Sequence, residues 1–198
     1  MPPLYSPSAR ALQDRFDSRR LADRLEDVKV HDSISVDDRA FIEQLDMCFM
    51  ATVDANGQPT CSYKGGAPGF VTVVDERTLA MPNYDGNGMY LSMGNVEETR
   101  HVGLLFIDFA TRRRIRVEGS ASLRYDDALA ERYPGAQFML YVHVERVFPN
   151  CSRYIHHVER VKQSDSIPDE YGVAPVPGWK RTDWARDVLP ANDSSREA

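Results

Sequence analysis

The chain has no apolar run approaching the ~20 residues that a membrane-spanning helix needs. Its opening, Met1-Pro2-Pro3-Leu4-Tyr5-Ser6-Pro7, lacks the basic and apolar segments of a secretory leader, so a cytoplasmic protein is expected. Positive charge is also short: 24 Lys and Arg against 30 Asp and Glu leave a net −6. That balance argues against nucleic-acid binding, which needs a basic surface to release counterions. Cysteine is scarce. Cys48, Cys61 and Cys151 are odd in number and far apart, which fits neither a disulfide framework nor a zinc site. They read as packing thiols, and no metal is expected. Two phosphate-binding signatures are missing as well. No Gly-Lys-Ser/Thr follows a glycine loop, which excludes a standard P-loop. Gly86-Asn87-Gly88-Met89-Tyr90-Leu91 lacks the third glycine and the βαβ setting of a dinucleotide fingerprint.

What is present is one core with appendages. At 198 residues, 42% apolar and 27% charged, the chain suits a single globular domain. Residues 1–34 read as an N-terminal helical arm, with Leu12, Phe16, Leu21, Leu25 and Val28 on one stripe of a helix from Ser8 to Val30. Residues 35–163 read as the main domain, and 164–198 as a tail containing proline and tryptophan. Ser35 is placed to cap a helix carrying Phe41, Ile42 and Leu45 inward. Short strands follow: 48–53, 59–64, 70–74, 78–81, 102–107, 113–123 and 138–148. Asn56-Gly57 is the strongest hairpin signal among them. Helices are expected at 89–93, 126–132 and 153–162, with a short one near 182–188. Six or seven strands joined by tight turns, without regular strand–helix alternation, predict a mainly β fold: an antiparallel barrel with peripheral helices.

Two loops draw attention. Cys61-Ser62-Tyr63-Lys64-Gly65-Gly66-Ala67-Pro68-Gly69 and Met81-Pro82-Asn83-Tyr84-Asp85-Gly86-Asn87-Gly88-Met89 are rich in glycine, hydroxyl and amide groups. Glycine lets backbone amides approach an anion or a flat ring, because no Cβ intervenes. Taken singly, each glycine reads as a turn residue; clustering with Lys64, Asn87 and Arg114 favours binding. Arg112, Arg114 and Arg116 share one strand face, and Arg113, Ile115 and Val117 the other. Most of these cations suit a solvated face; one or two suit a phosphate, which the planar arginine fork grips bidentately.

The order Phe49–Val53, Asn56-Gly57-Gln58-Pro59, Ser62–Gly66, Pro68-Gly69-Phe70-Val71, Asp85–Gly88, Gly94-Asn95, Gly103–Asp108 and Arg114–Gly119 resembles the pyridoxamine 5′-phosphate oxidase-like superfamily. The resemblance covers residues 41–154. It implies an FMN-binding split β-barrel that forms a homodimer, with the cofactor at the subunit interface and a small-molecule substrate. Carried onto this chain, it puts Ser62, Tyr63 and Lys64 along the flavin, Met81 and Pro82 on the next contacting strand, and Arg114 within reach of the cofactor. Arg116 shares the Arg114 face. Asn87 and Gly88, if they open the short helix, supply amides for the phosphate. The Arg-Lys pair that grips phosphate in the true oxidases is replaced by Leu91 and Ser92. Their C-terminal substrate signature is absent from Trp179–Trp184, so pyridoxamine phosphate is a poor substrate expectation.

The function expected from this resemblance is an FMN-dependent oxidoreductase passing hydride to or from an unassigned small molecule. The alternatives are a non-catalytic flavin or haem binder and a deazaflavin-dependent reductase. No acid or base is assigned, and His143, His156 and His157 stand only as candidates. Tyr154, Trp179 and Trp184 are candidate aromatic caps.

Overall fold

The structure is a computed structural model that describes residues 3–159, 162–193 and 196. It opens with two helices where the periodicity predicts one: α1 (Pro7–Arg15) and α2 (Arg19–Lys29). The chain turns at Phe16-Asp17-Ser18, with Asp17 at φ +49°, and the Arg19 guanidinium folds back onto the Asp14 carboxylate. A periodic stripe does not reveal such a break, because Asp and Ser are tolerated in either conformation. Leu12, Phe16, Leu21, Leu25 and Val28 are all exposed, and Ala22 alone of the two helices is buried.

α3 (Val36–Glu43) starts as the sequence predicts. Ser35 Oγ accepts the Asp38 N–H, and the Asp38 carboxylate accepts the Ser35 N–H in return, a capping box. Phe41 and Ile42 enter the core from this helix.

Seven strands follow: β1 (Met47–Val53), β2 (Pro59–Gly65), β3 (Thr72–Asp75), β4 (Thr78–Tyr84), β5 (His101–Asp108), β6 (Arg113–Arg124) and β7 (Ala136–Pro149). They form one antiparallel sheet in the order β2-β1-β5-β6-β7-β4-β3. This is the mainly β, antiparallel split barrel with peripheral helices expected from the sequence. The Asp54 carboxylate accepts the N–H groups of Asn56 and Gln58 and thereby closes the β1–β2 hairpin, with Gly57 at φ +82°. The two longest strands, β6 and β7, bend at a bulge between Glu118 and Gly119. At Gly119 a Cβ would lie 2.0 Å from the His143 carbonyl oxygen, so only glycine fits the bend.

Several boundaries differ from expectation. β4 runs on through Pro82 to Tyr84 instead of ending at Met81. Pro82 lies past Ala80, the last β4 residue that pairs with β3, so its missing N–H takes nothing from that ladder. α4 (Leu91–Thr99) begins later than predicted and carries Gly94-Asn95 inside it. The predicted helix at 153–162 is absent from the described residues of that stretch, and positions 160 and 161 lie outside them. Near 182–188 the chain makes two 3₁₀ turns, Gly178–Arg181 and Arg186–Val188, in place of an α-helix.

A single apolar core fills the barrel, joining Phe41 and Ile42 of α3 to Met50, Leu104, Phe106, Ile115, Leu140 and Val142. A smaller cluster, Ala80, Tyr133, Met139 and Tyr141, packs on the other face of β4 and β7. No helix among the described residues is long and apolar enough to cross a membrane.

Candidate functional site

Alternation on β2 sends Thr60, Ser62 and Lys64 toward the barrel interior and Cys61 and Tyr63 outward. α4 lies against the inward set. Ser62 and Ser92 share a hydrogen bond of 3.1 Å, Asn95 Nδ2 donates to Thr52 Oγ1 at 3.1 Å, and Thr99 Oγ1 donates to the Val53 carbonyl at 2.8 Å. These contacts pin the helix along the first hairpin. Its first turn is left open to a ligand. Tyr90, at φ +48°, offers no side-chain cap, no acidic residue occupies the turn, and the Gly94 N–H is the one that bonds back to the Tyr90 carbonyl. The N–H groups of Leu91, Ser92 and Met93 thus remain as donors at the positive end of a nine-residue helix.

Lys64 follows Ser62 on the same face of β2, roughly 7 Å along the strand. Burial pushes its ammonium pKa below the usual lysine value. Among the described residues it has neither a hydrogen bond nor an ion pair, and its electrostatic neighbour is the thiol of Cys48, its β1 register partner. Burial pushes the Cys48 thiol up to about 12, so the thiol is neutral and does not compensate the lysine. A half-buried cation without a counter-charge among the described residues, on the same strand face as Ser62, whose hydroxyl meets Ser92 in the uncapped first turn of α4, makes a donor set that suits an anion.

The outward face of the same sheet carries a different set. Register places Tyr63 beside Phe49, Phe49 beside Leu105, Leu105 beside Arg116, and Arg116 beside Phe148. Tyr63 and Phe49 meet edge to face at 6.0 Å. Two residues away along β6, Arg114 lies opposite Ile107, and its buried Nε has no hydrogen-bond partner among the described residues. Arg112 is not on the strand: it occupies the turn before β6 at φ +60°, which removes it from the face predicted for it.

Sheet curvature brings the end of β4 back to the end of β2, although five steps of strand order separate them. Tyr63, Gly65 and Gly66 line a cleft of about 1210 Å³ together with Met47, Tyr84 and Asp85. Residues 158, 159, 162–164 and 166–168, from the end of the main domain into the tail, line another side of it. Two glycines here are explained by packing. A Cβ on Gly65 would meet the Tyr63 ring at 2.7 Å, and one on Gly66 would meet Phe70 at 2.5 Å. Gly86 and Gly88 have open space around them instead.

Of the residues singled out in the sequence, Ser62 and Lys64 come together on the inner face, while Tyr63, Arg114 and Arg116 stand on the outer one. Met81 and Pro82 are buried within the chain's own packing. Asn87 and Gly88 do not open the helix. They sit in the exposed β4–α4 loop, where Asn87 Oδ1 accepts the Met89 N–H. Ser92 is the residue that reading by sequence missed: it marked only a departure, and the fold alone brings it to Ser62. Cys61 is exposed, not packed. Tyr154 and Trp184 are exposed, and Trp179 stacks on Trp184 with ring centroids 6.0 Å apart. His143, His156 and His157 are exposed, and no histidine is among the described residues lining the cleft. No group of three potential metal ligands occurs among the described residues.

Residues 37–165 match the family model of pyridoxamine 5′-phosphate oxidase. No curated protein matches the chain. Among solved structures it is similar to HupZ of Group A Streptococcus, with 20% identity and a TM-score of 0.49 over 64% of this chain and 99% of that one. It is also similar to an FMN-binding protein from Syntrophomonas wolfei, with 14% identity and a TM-score of 0.47 over 71% of this chain and 97% of that one. The heme storage protein HutZ from Vibrio cholerae aligns at 18% identity and a TM-score of 0.42, over 59% of this chain and 94% of that one.

Proposed function

Because the chain belongs to the pyridoxamine 5′-phosphate oxidase family, we propose that it is an FMN-dependent oxidoreductase acting on a small molecule. The observation that carries this reading is the anion cradle at the start of α4. A phosphate monoester brings about two negative charges, which must be compensated on leaving water. Ser62 and Ser92 offer hydroxyls, Leu91, Ser92 and Met93 offer N–H groups, and Lys64 offers a cation with no other partner among the described residues. That donor set fits a phosphate, and it replaces the missing Arg-Lys pair. When bound, FMN supplies hydride transfer through its flavin ring.

The remaining work falls to the chain. Tyr63, Gly65 and Gly66 line the cleft at the end of β2, where a Cβ on either glycine would strike Tyr63 or Phe70. Met81 and Pro82, being buried, support the strand that delivers Tyr84 and Asp85 to the opposite wall. Burial, with a smaller contribution from Tyr133, raises the Tyr84 phenol above its usual pKa, so it enters the cleft as a neutral hydrogen-bond donor.

The proposed site residues occupy both faces of the sheet, which supports a homodimer. Tyr63, Arg114 and Arg116 lie on the outer face and cannot reach the inner cradle of their own protomer. On the partner's cradle they would have a role, and of the three Tyr63 and Arg116 are the exposed side chains that a second copy can meet. A titration of the purified protein with FMN and with riboflavin tests this reading. FMN binding much tighter than riboflavin supports a phosphate-gripping site; equal affinities overturn it.

A further inference from the structure

We propose that Lys180 is a positioning residue, tying the C-terminal segment to the β4–α4 loop so that opposite sides of the cleft are held together. The inference rests on the flavin reading for its functional consequence, and on geometry alone for the tether itself.

Lys180 stands in the 3₁₀ turn Gly178–Arg181, with its side chain only 7% exposed. Its Nζ donates to Asp85 Oδ2 at 2.7 Å and to Asp193 Oδ2 at 2.7 Å. Asp193 is equally buried, whereas Asp85 begins the loop and is 57% exposed. Lys180, 95 positions beyond Asp85 in sequence, therefore joins the loop after β4 to the tail. Among the described residues, no other side chain outside the loop hydrogen-bonds to residues 85–88, which are exposed. The tether thus holds the first half of the loop, while Tyr90 at its far end is held separately, its hydroxyl donating to Gln137 Oε1 at 3.1 Å.

The tail folds around this ammonium. Trp179 stacks on Trp184, the Lys180 ammonium lies 5.8 Å from the Trp179 ring centre, and Ala185 and Leu189 are buried. Upstream, the tail is pressed onto the turn before β7. At Gly135, itself at φ +82°, an added Cβ would lie 3.0 Å from Pro168, and at Gly172 one would lie 2.6 Å from the Gly135 nitrogen. The stretch between β7 and that contact includes one side of the cleft, while Asp85 belongs to the facing wall. Lys180 and Asp193, farther along the same tail, hold Asp85 of that facing wall.

A bare ammonium at this depth is costly, and burial alone lowers its pKa. The Asp193 and Asp85 hydrogen bonds more than offset that, holding it above the usual lysine value and charged at neutral pH. Removing the charge leaves the buried Asp193 close to Asp85 without the cation that joins them, and two like charges then favour separation. Lys180→Met is therefore expected to open both segments. Lys180→Arg keeps the charge and should keep the tether.

Backbone 15N relaxation on the cofactor-free full chain tests the tether directly, with FMN and riboflavin titrations alongside. In Lys180→Met and Asp85→Asn, order parameters of residues 85–88 should fall below about 0.6, and those of 162–168 should fall with them in Lys180→Met. Order parameters of β6 and β7 should be unchanged. Lys180→Met should weaken FMN about tenfold, with Lys180→Arg close to the parent. Lower order parameters in the tail alone, or in neither segment, overturn the proposal. So do lower order parameters in both segments with undiminished FMN affinity. Should the parent protein take no flavin, the functional reading falls, but the relaxation result still supports or overturns the tether.

Discussion

Lys64 sits half out of water next to a thiol that burial keeps neutral, and this isolation makes it the most informative side chain to change. Losing a charged hydrogen-bond partner costs ~1.5–3 kcal/mol, roughly tenfold to a hundredfold in affinity. Lys64→Ala should weaken FMN by about that factor in a fluorescence titration and leave riboflavin nearly unaffected. The pH dependence follows from the same residue. Burial lowers the Lys64 pKa in the ligand-free protein, whereas a bound phosphate favours the charged form and raises it. Binding therefore takes up a proton wherever the free lysine is neutral, and FMN affinity should fall as pH rises through that depressed value. Lys64→Ala should flatten that slope. By contrast, Cys48, Cys61 and Cys151 have no assigned chemistry, and replacing all three by alanine or serine should leave flavin binding intact. Ser62 and Lys64 were legible through the family resemblance, which marked Tyr63 with them; strand alternation separates the two from Tyr63. The sequence could not disclose Ser92, an uncharged residue between Leu91 and Met93, whose 3.1 Å contact with Ser62 arises only when α4 docks.

At the scale of elements, two glycines should respond in opposite directions. Gly94 lies inside α4 with nothing within 4 Å of where an added methyl group would sit, so Gly94→Ala should raise stability by ~0.5–1 kcal/mol. Gly119 lies at the β6–β7 bulge, where a methyl group would collide with the His143 carbonyl, and Gly119→Ala should lower stability by about 3 kcal/mol or more. Urea unfolding of the two variants checks both signs. Strands and the capped start of α3 were readable because Asn-Gly hairpin chemistry and the Ser35–Asp38 box act over a few residues. The break at Asp17, the continuation of β4 through Pro82 and the 3₁₀ turns of the tail were not. The last two depend on partners distant in sequence: Pro82 on Met139, and the Lys180 turn on Asp85.

For the whole molecule, one chain leaves Tyr63 62% exposed on the outer sheet face and the apolar stripe of α1 and α2 uncovered. The sheet also ends in two edge strands, β2 and β3. In the proposed homodimer a second copy would cover such surfaces and complete the site, so light scattering at micromolar concentration should give twice the 22.4 kDa chain mass. A monomer at that concentration would remove the partner's role assigned to Arg114 and Arg116.

The most direct measurement of the central claim is the visible spectrum of the purified protein, followed by mass spectrometry of the released ligand. The account predicts the two visible bands of a flavin, bleached by dithionite, and a released mass equal to that of FMN. A Soret band, or the single violet band of a deazaflavin, would contradict it.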